Sequence, residues 1–532
     1  NTKPKDKIGK EQYFTNEEGL MQGLAGVYDP LGSSALYGEA LYTKLEACTD
    51  EGFYARSAQK TEVMVYVFNP TDPTVSNLWN TLYDGLNRAN DLIANINLPA
   101  MDEAKRQVIV GEALFLRGYY HFMLVKGFGA VPMKLTPTTT PNGTEQAATP
   151  IAELYAQILK DMTEAEGKVA TSTSYGYSSR VSKTVVQGIL SRVCLTMAGY
   201  PLNDTAKFKD ALSWSKKVVD SGEHALNVSF NPDPIYNTFN PSVAGKTANN
   251  AYRQIFINHV QDTYDIKESM WEIDFKGNRG DGFFETGRLG NTNGITFTGA
   301  ALFEKIGYSY GFIRGTGRLF NKYGDGDLRR DWVLTTYTFN NSTGAKNPIV
   351  KGTGAAAANF PYGRDCGKWR REYEGPLTKE KNHNPNNFPV LRYADVLLMM
   401  AESENQVNGP TIAAYNAVNQ VRRRGYGLPI ATPSVIADLP AGLSKANFQL
   451  AIEDERMREL CFEGTRKSDL IRWGKFVQTM NAVGAEMSAL PTPANQQYAG
   501  FGGLNVEAKH LLYPIPSREI ASNKELKPNE GW

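Results

Sequence analysis

Cysteine and histidine are scarce in this chain, at four and five among 532 residues. Cys48, Cys194, Cys366 and Cys461 stand far apart and make no CxxC pair. His121, His224, His259, His383 and His510 fall into none of the HxH, HxxxH or HExxH spacings. Both facts argue against a zinc or redox centre, and no cofactor is expected. Net charge is also lacking: 57 Lys+Arg against 56 Asp+Glu leave +1, so no field steers the chain onto nucleic acid. Long hydrophobic runs are missing. The stretches Val63 to Phe68 and Val396 to Ala401 reach about a third of the ~20 residues that a spanning helix needs. The chain opens on Asn1 without a methionine or a signal-peptide pattern, which reads as a trimmed start.

Nucleophile motifs are absent as well. There is no GxSxG, and no cysteine has a histidine near it in sequence. Asp325, Asp327 and Asp331 have calcium-like spacing, but an EF-hand would need Glu where Thr336 stands; a turn is expected. GFIRGTG (Gly311–Gly317) lacks the GK[ST] ending of a phosphate loop and reads as a loop.

What is present is helical periodicity. With 41 % hydrophobic and 21 % charged residues the chain is globular. From Val75 to Ile96, Leu78, Leu82, Leu86, Ala89 and Ile93 share one face. A second helix is predicted over Glu103–Lys126, capped by Asp102 and closed by Gly127 and Gly129. Further helices follow over Ile151–Ala165, Ser182–Met197 and Phe208–Val219, in units of about 35 residues that suggest paired antiparallel helices of the tetratricopeptide type. Residues 1–222 thus form a helical scaffold. From 223 to 390 Asn, Pro and Gly become frequent, with short β-like runs at Ser269–Phe275 and Trp332–Phe339. This is a loop-rich insertion, and such long structured loops carry function. Helices return at Leu391–Asn408, Ile412–Arg424 and Lys445–Phe462, and residues 391–532 end in a proline-rich extended strap. The fold class is mainly α.

The row Glu453, Asp454, Glu455, Glu459, Glu463 and Asp469 invites a catalytic reading, since glycosidases use two carboxylates. Arg456, Arg458, Arg466 and Arg472 are interleaved with it, so ion-paired helix ends are the simpler account.

Several segments are distinctive: LRYADVLLMMAESEN from Leu391, VNQVRRRG from Val418, ERMRELCFEGTRKSDLIRWG from Glu455, and the closing Tyr513-Pro-Ile-Pro with Glu519-Ile. In order with WNTLY from Trp79, GEALFLRGY from Gly111 and Val218-Val-Asp-Ser-Gly, they resemble the SusD/RagB family of bacterial surface nutrient-binding lipoproteins over nearly the whole chain. The resemblance implies a single SusD-like α superhelix with the insertion packed against it. It implies a non-catalytic protein on the outer face of the outer membrane that captures an oligosaccharide and passes it to a SusC-like TonB-dependent transporter. The membrane would be met only through a lipid anchor at or before position 1. A helical scaffold for a protein or peptide ligand is the alternative.

Sugar binding calls for flat rings on exposed loops beside Asn, Asp and Arg side chains. Three stretches qualify: Tyr54 and Arg56 with Phe68 and Asn69; Asp281 with Phe283 and Phe284; and Arg364 through Trp369 and Tyr373. Trp79, Trp271 and Trp473 are expected in the core. A shallow, wet site of this kind implies an affinity of roughly µM to mM.

Overall fold

The computed structural model describes residues 13–55, 61–140, 145–239, 249–277, 287–375, 378–490 and 497–532. Its N-terminal half is built on α1 (Glu17–Tyr28), α2 (Pro73–Asn95), α3 (Glu103–Phe128), α4 (Ile151–Glu166), α5 (Lys183–Ala198), α6 (Lys207–Asp220) and α7 (Ala251–Val260). The C-terminal helices are α8 (Tyr393–Asn408), α9 (Ile412–Gly425), α10 (Lys445–Leu460), α11 (Arg466–Arg472), α12 (Phe476–Ser488) and α13 (Gln497–Asn505). Neighbours in sequence pack as pairs: α2 on α3, α3 on α4, α5 on α6, α8 on α9. Helix α8 also lies against α6 and α10, which joins the two halves.

The helix starts follow capping chemistry. The Asp72 carboxylate accepts from the Thr74 and Val75 amides with Pro73 in the first turn, and Asp102 accepts from the Lys105 amide. Close approach of α2 and α3 depends on Gly85, where a Cβ would fall 2.4 Å from the Tyr120 ring. The Tyr120 hydroxyl then reaches the Val27 carbonyl at 2.6 Å. Helix α3 is long and apolar enough to cross a membrane, yet its apolar window is almost entirely buried among α1, α2 and α4. It is the central scaffold helix. Trp79 and Trp271 lie in the same core, whereas Trp473 is half-buried and donates to Glu402 at 2.8 Å.

Among the described residues seven short strands complete the fold: β1 (Gly52–Tyr54), β2 (Ser269–Ile273), β3 (Ile313–Gly315), β4 (Tyr337–Phe339), β5 (Lys346–Pro348), β6 (Arg364–Asp365) and β7 (Phe388–Arg392). All pair antiparallel, in the sheets β1-β3-β6, β2-β7 and β4-β5. Two expectations change here. Leu391 and Arg392 belong to β7 rather than to the helix that follows, because their backbone pairs with Trp271 and Ser269. Trp332 and Val333 sit in a helical turn, and the β-like run begins only at Tyr337. The first 222 residues are also not wholly helical, since β1 is drawn out to pair with β3.

The row of acids on α10 is a deeper feature than ion-paired helix ends. Glu455 and Glu459, with Glu463 just past the helix end, are buried and converge on cations from four other segments. Arg329 reaches Glu455 at 2.6 Å and Glu459 at 3.0 Å, and is itself held by Asp327 at 2.7 Å. Arg392 spans Glu268, Glu459 and Glu463 at 2.8–2.9 Å. Arg424 meets Glu459, Arg422 meets Glu455, and Lys368 meets Glu463. Asp327 is therefore committed to an arginine. Among the described residues no group of three or more His, Cys, Asp or Glu is placed to hold a metal ion.

The surrounding guanidinium groups overcome burial and hold the carboxyls of Glu459 and Asp395 down at about 2. Their stabilisation is full above the ordinary carboxylate range and is lost as pH falls from about 4 towards 2. Glu459→Gln leaves three buried arginines short of counter-charge. It is expected to cost about 3–5 kcal/mol in urea denaturation at neutral pH and to flatten the acid limb of the stability profile.

Candidate functional site: an aromatic ladder on the insertion

The insertion is pinned to the scaffold by β1, whose Phe53 and Tyr54 pair with Arg314 and Ile313. The chain leading into β3 is extended, and its side chains alternate. Gly307, Ser309, Gly311 and Ile313 point inward and are buried, while Tyr308, Tyr310, Phe312 and Arg314 are half-exposed. Tyr308 and Tyr310 meet edge to face at 5.0 Å. Tyr310 and Phe312 are offset-stacked at 4.9 Å with planes 11° apart. Phe312 then leans on Tyr54 at 5.2 Å. The four rings form one continuous apolar strip.

The backbone beneath them is held on both sides. The Tyr310 and Phe312 amides donate to the Asn291 and Thr292 carbonyls at 2.8 and 2.7 Å, and the Phe312 carbonyl accepts from Ala55 at 2.7 Å. Arg371 donates to the Tyr308 carbonyl at 2.6 Å. Gly311 is required: its φ is +58°, and a Cβ there would lie 2.0 Å from the Thr296 hydroxyl.

Charged groups rim the strip. The Lys381 ammonium sits 4.4 Å from the Tyr308 ring and the Arg288 guanidinium 6.0 Å from Tyr310. Arg288 is fixed by Glu39 and Asn291, and Arg314 by Asp365 at 3.1 Å. Partial desolvation and the neighbouring Tyr310 hydroxyl push the Tyr308 phenol above its ordinary range, so it stays neutral near pH 7. Rigid apolar rings bordered by anchored donors can take the C–H face of a ligand and bind its hydroxyls. Among the described residues, the carboxylates beside the strip are committed: Asp365 accepts from Arg314 and the Thr296 amide, and Glu39 pairs with Arg288.

Of the residues singled out in the sequence, Tyr54 is at one end of this ladder, though only 3 % exposed because Phe312 covers it. The others disperse. Phe68 packs on Trp532 at 4.8 Å and on His510 at 5.7 Å, and Asn69 closes an exposed turn by accepting from Thr71. Arg364 is buried with its guanidinium 4.4 Å from Phe360, donating to the Thr335 carbonyl. Tyr373 stacks on Trp332 and donates to Asp233 at 2.6 Å. Trp369 has no exposed surface at all and is enclosed by Phe256 and Phe388, so its ring cannot meet a ligand in this conformation. Arg56, Asp281, Phe283 and Phe284 lie outside the described residues.

Sequence reading passed over Tyr308, Tyr310 and Phe312. The signal was there in GYSYGF from Gly307, where rings at every second position alternate with Gly or Ser. The glycine content drew the segment into the loop category.

Gly311→Ala is expected to destabilise the chain by about 1–3 kcal/mol in urea titration through left-handed strain and the Thr296 clash. Hydrogen exchange should rise locally between residues 307 and 315. Protection unchanged there would contradict the rigid backbone described above.

Comparison with known proteins agrees with this architecture. Residues 267–532 match the model described as the SusD family, and residues 2–195 match the one described as "Starch-binding associating with outer membrane". The chain is 24 % identical to SusD-like protein P2 of Formosa agariphila, over 98 % of this chain and 94 % of that protein. A SusD homolog from Bacteroides thetaiotaomicron superposes with a TM-score of 0.83 at 28 % identity, covering 98 % of each chain. A laminarin-binding SusD-like protein shares the fold with a TM-score of 0.70 at 22 % identity, over 97 % of this chain and 100 % of that one. The capped helix pairs, the insertion strung on β1 and β7 and these matches lead to one conclusion: the chain belongs to the SusD family.

Proposed function

We propose that this protein captures an oligosaccharide on the Tyr308–Tyr310–Phe312 strip without cleaving it, and hands it to a SusC-like TonB-dependent transporter at the outer face of the outer membrane. The observation that carries the binding reading is the Tyr310–Phe312 pair, parallel within 11° and half-exposed beside Arg288 and Lys381. The outer-membrane setting rests on the family description matched by residues 2–195. A glycan ligand is supported by that description and by the laminarin-binding relative. A non-catalytic role is supported by the fate of the α10 carboxylates, which are buried against arginine rather than facing a cleft. Hand-off to a transporter and anchoring by lipid are carried by the family resemblance.

Stacking energetics set the size of the test. Covering about 60 Å² of apolar ring face at about 25 cal/mol/Å² contributes about 1.5 kcal/mol, or roughly tenfold in affinity per ring. Isothermal titration with starch-, laminarin-, xylan- and pectin-derived oligosaccharides is expected to give heat from one class. Phe312→Ala and Tyr310→Ala should each weaken that binding about tenfold while leaving the melting temperature within a few degrees. Binding untouched by both substitutions would overturn the ladder as the site. Shortening of the oligosaccharide during incubation would overturn the non-catalytic reading.

A further inference from the structure

A second concavity, lined by none of the ladder's residues, has unused polar atoms. Phe53, facing opposite to Tyr54, packs with Tyr66, Cys48 and Phe476, and beyond Tyr66 opens a cleft of about 730 Å³. It runs between the C-terminal end of α3, the start of α11 and the strap around residues 507–513. This volume is within the range of small-molecule sites.

Three polar groups in this cleft lack what their chemistry calls for. Glu46 is buried, and its Oε2 has no hydrogen-bond partner; its other oxygen is 4.0 Å from the Lys126 ammonium. Lys467 is buried among the rings of Tyr513, Tyr66 and Phe476, at 4.4, 5.3 and 5.8 Å. It donates to the Leu45 carbonyl at 3.3 Å and to the Tyr513 hydroxyl at 3.0 Å. The Tyr513 hydroxyl in turn spends its own proton on Leu45. An ammonium has three N–H groups, so the third is unspent, and among the described residues no carboxylate stands within ion-pair distance of it. His510 accepts from the Glu507 amide through Nδ1 at 2.9 Å. That bond fixes the neutral tautomer with the proton on Nε2, and this buried N–H also has no partner.

Burial of this kind is costly unless a partner arrives. It lowers the Lys467 ammonium to about 8 and the His510 imidazole to about 4, with the lysine's only nearby carboxylate influence coming from Glu46. The cleft lining also carries Lys126, Arg472, Lys509, Glu507 and Glu530, and among these the cleft offers a cation at Lys467, a neutral donor at His510 and an open acceptor at Glu46, around walls that include the Tyr155 and Tyr513 rings.

We propose that this cleft binds a small hydroxylated carboxylate such as a uronic acid sugar, with its carboxylate on Lys467, an oxygen on His510 Nε2–H and a hydroxyl donated to Glu46 Oε2. The apolar face of the ligand lies against Tyr155 and Tyr513. A neutral sugar leaves the lysine unsatisfied, and a simple carboxylate leaves Glu46 unsatisfied, so both features are needed. The site is independent of the ladder and does not rest on the reading given for it.

The test uses the whole chain with galacturonate, glucose and acetate as probes, titrated calorimetrically to about 10 mM. Galacturonate is expected to bind at least tenfold more tightly than either of the others. It should also protect Lys467 from acetylation by acetic anhydride, read by peptide mass spectrometry. Lys467→Met and Glu46→Gln should each remove at least tenfold in galacturonate affinity with cooperative melting retained. Should either variant fail to fold, wild-type protection of Lys467 is the deciding readout. Four results would each overturn the proposal: no galacturonate heat, glucose or acetate binding equally well, Lys467 labelled at the same rate with and without galacturonate, or binding that survives both substitutions.

Discussion

The buried carboxylates of α10 are the constraint on which the rest of the molecule depends. Glu455 and Glu459 lie on α10 and Glu463 in the turn just after it, and together they receive cations from the chain at 329, 368, 392, 422 and 424. Two of those, Arg329 and Lys368, come from the insertion; the others come from β7 and α9. The network is thus a clamp that ties Arg329 and Lys368 of the insertion to a scaffold of paired helices. Placing ions of this number in a low-dielectric interior is expensive, and isolated pairs would gain little. Here each acid is shared by at least two cations and each arginine by at least two acceptors, so geometry is over-determined. Loss of one member leaves others uncompensated, which gives the clamp its specificity.

A separate set of bonds holds the loop on which ligand binding is proposed. Residues 307–312 have no regular secondary structure, yet Asn291, Thr292, Ala55 and Arg371 fix every second backbone group beneath the rings. A ligand that meets Tyr310 and Phe312 already in place does not have to order them, which saves the side-chain entropy that a flexible site loses on binding. One three-residue strand, with Phe53 in one apolar cluster and Tyr54 in the other, contributes to both.

The helical scaffold was legible in the sequence because its signals are local. Asp72 and Asp102 as caps, and leucines at helical spacing from Leu78 to Leu86, place helix boundaries to within two residues. The sheet β1-β3-β6 was not legible, since its strands are two or three residues long and β1 pairs with β3 across more than 250 positions. Nothing in the local pattern of Gly52–Tyr54 marks it. The ladder was half legible: alternation in GYSYGF is a period-2 signal, but it only becomes a surface once β1 supplies Tyr54 and Asn291 supplies the opposite hydrogen bonds. Trp369 and Arg364 failed for the reverse reason. A ring or a guanidinium near glycines looks available in sequence, and the burial that removes it is tertiary.

The most direct test of the account is a crystal structure of the chain with the oligosaccharide that calorimetry selects. The account predicts pyranose rings lying along Tyr310 and Phe312, with hydroxyls at Arg288 or Lys381 and ring positions unchanged from those of the free protein. A sugar seated away from residues 308–312, or rings that rebuild to receive it, would contradict a preformed ladder.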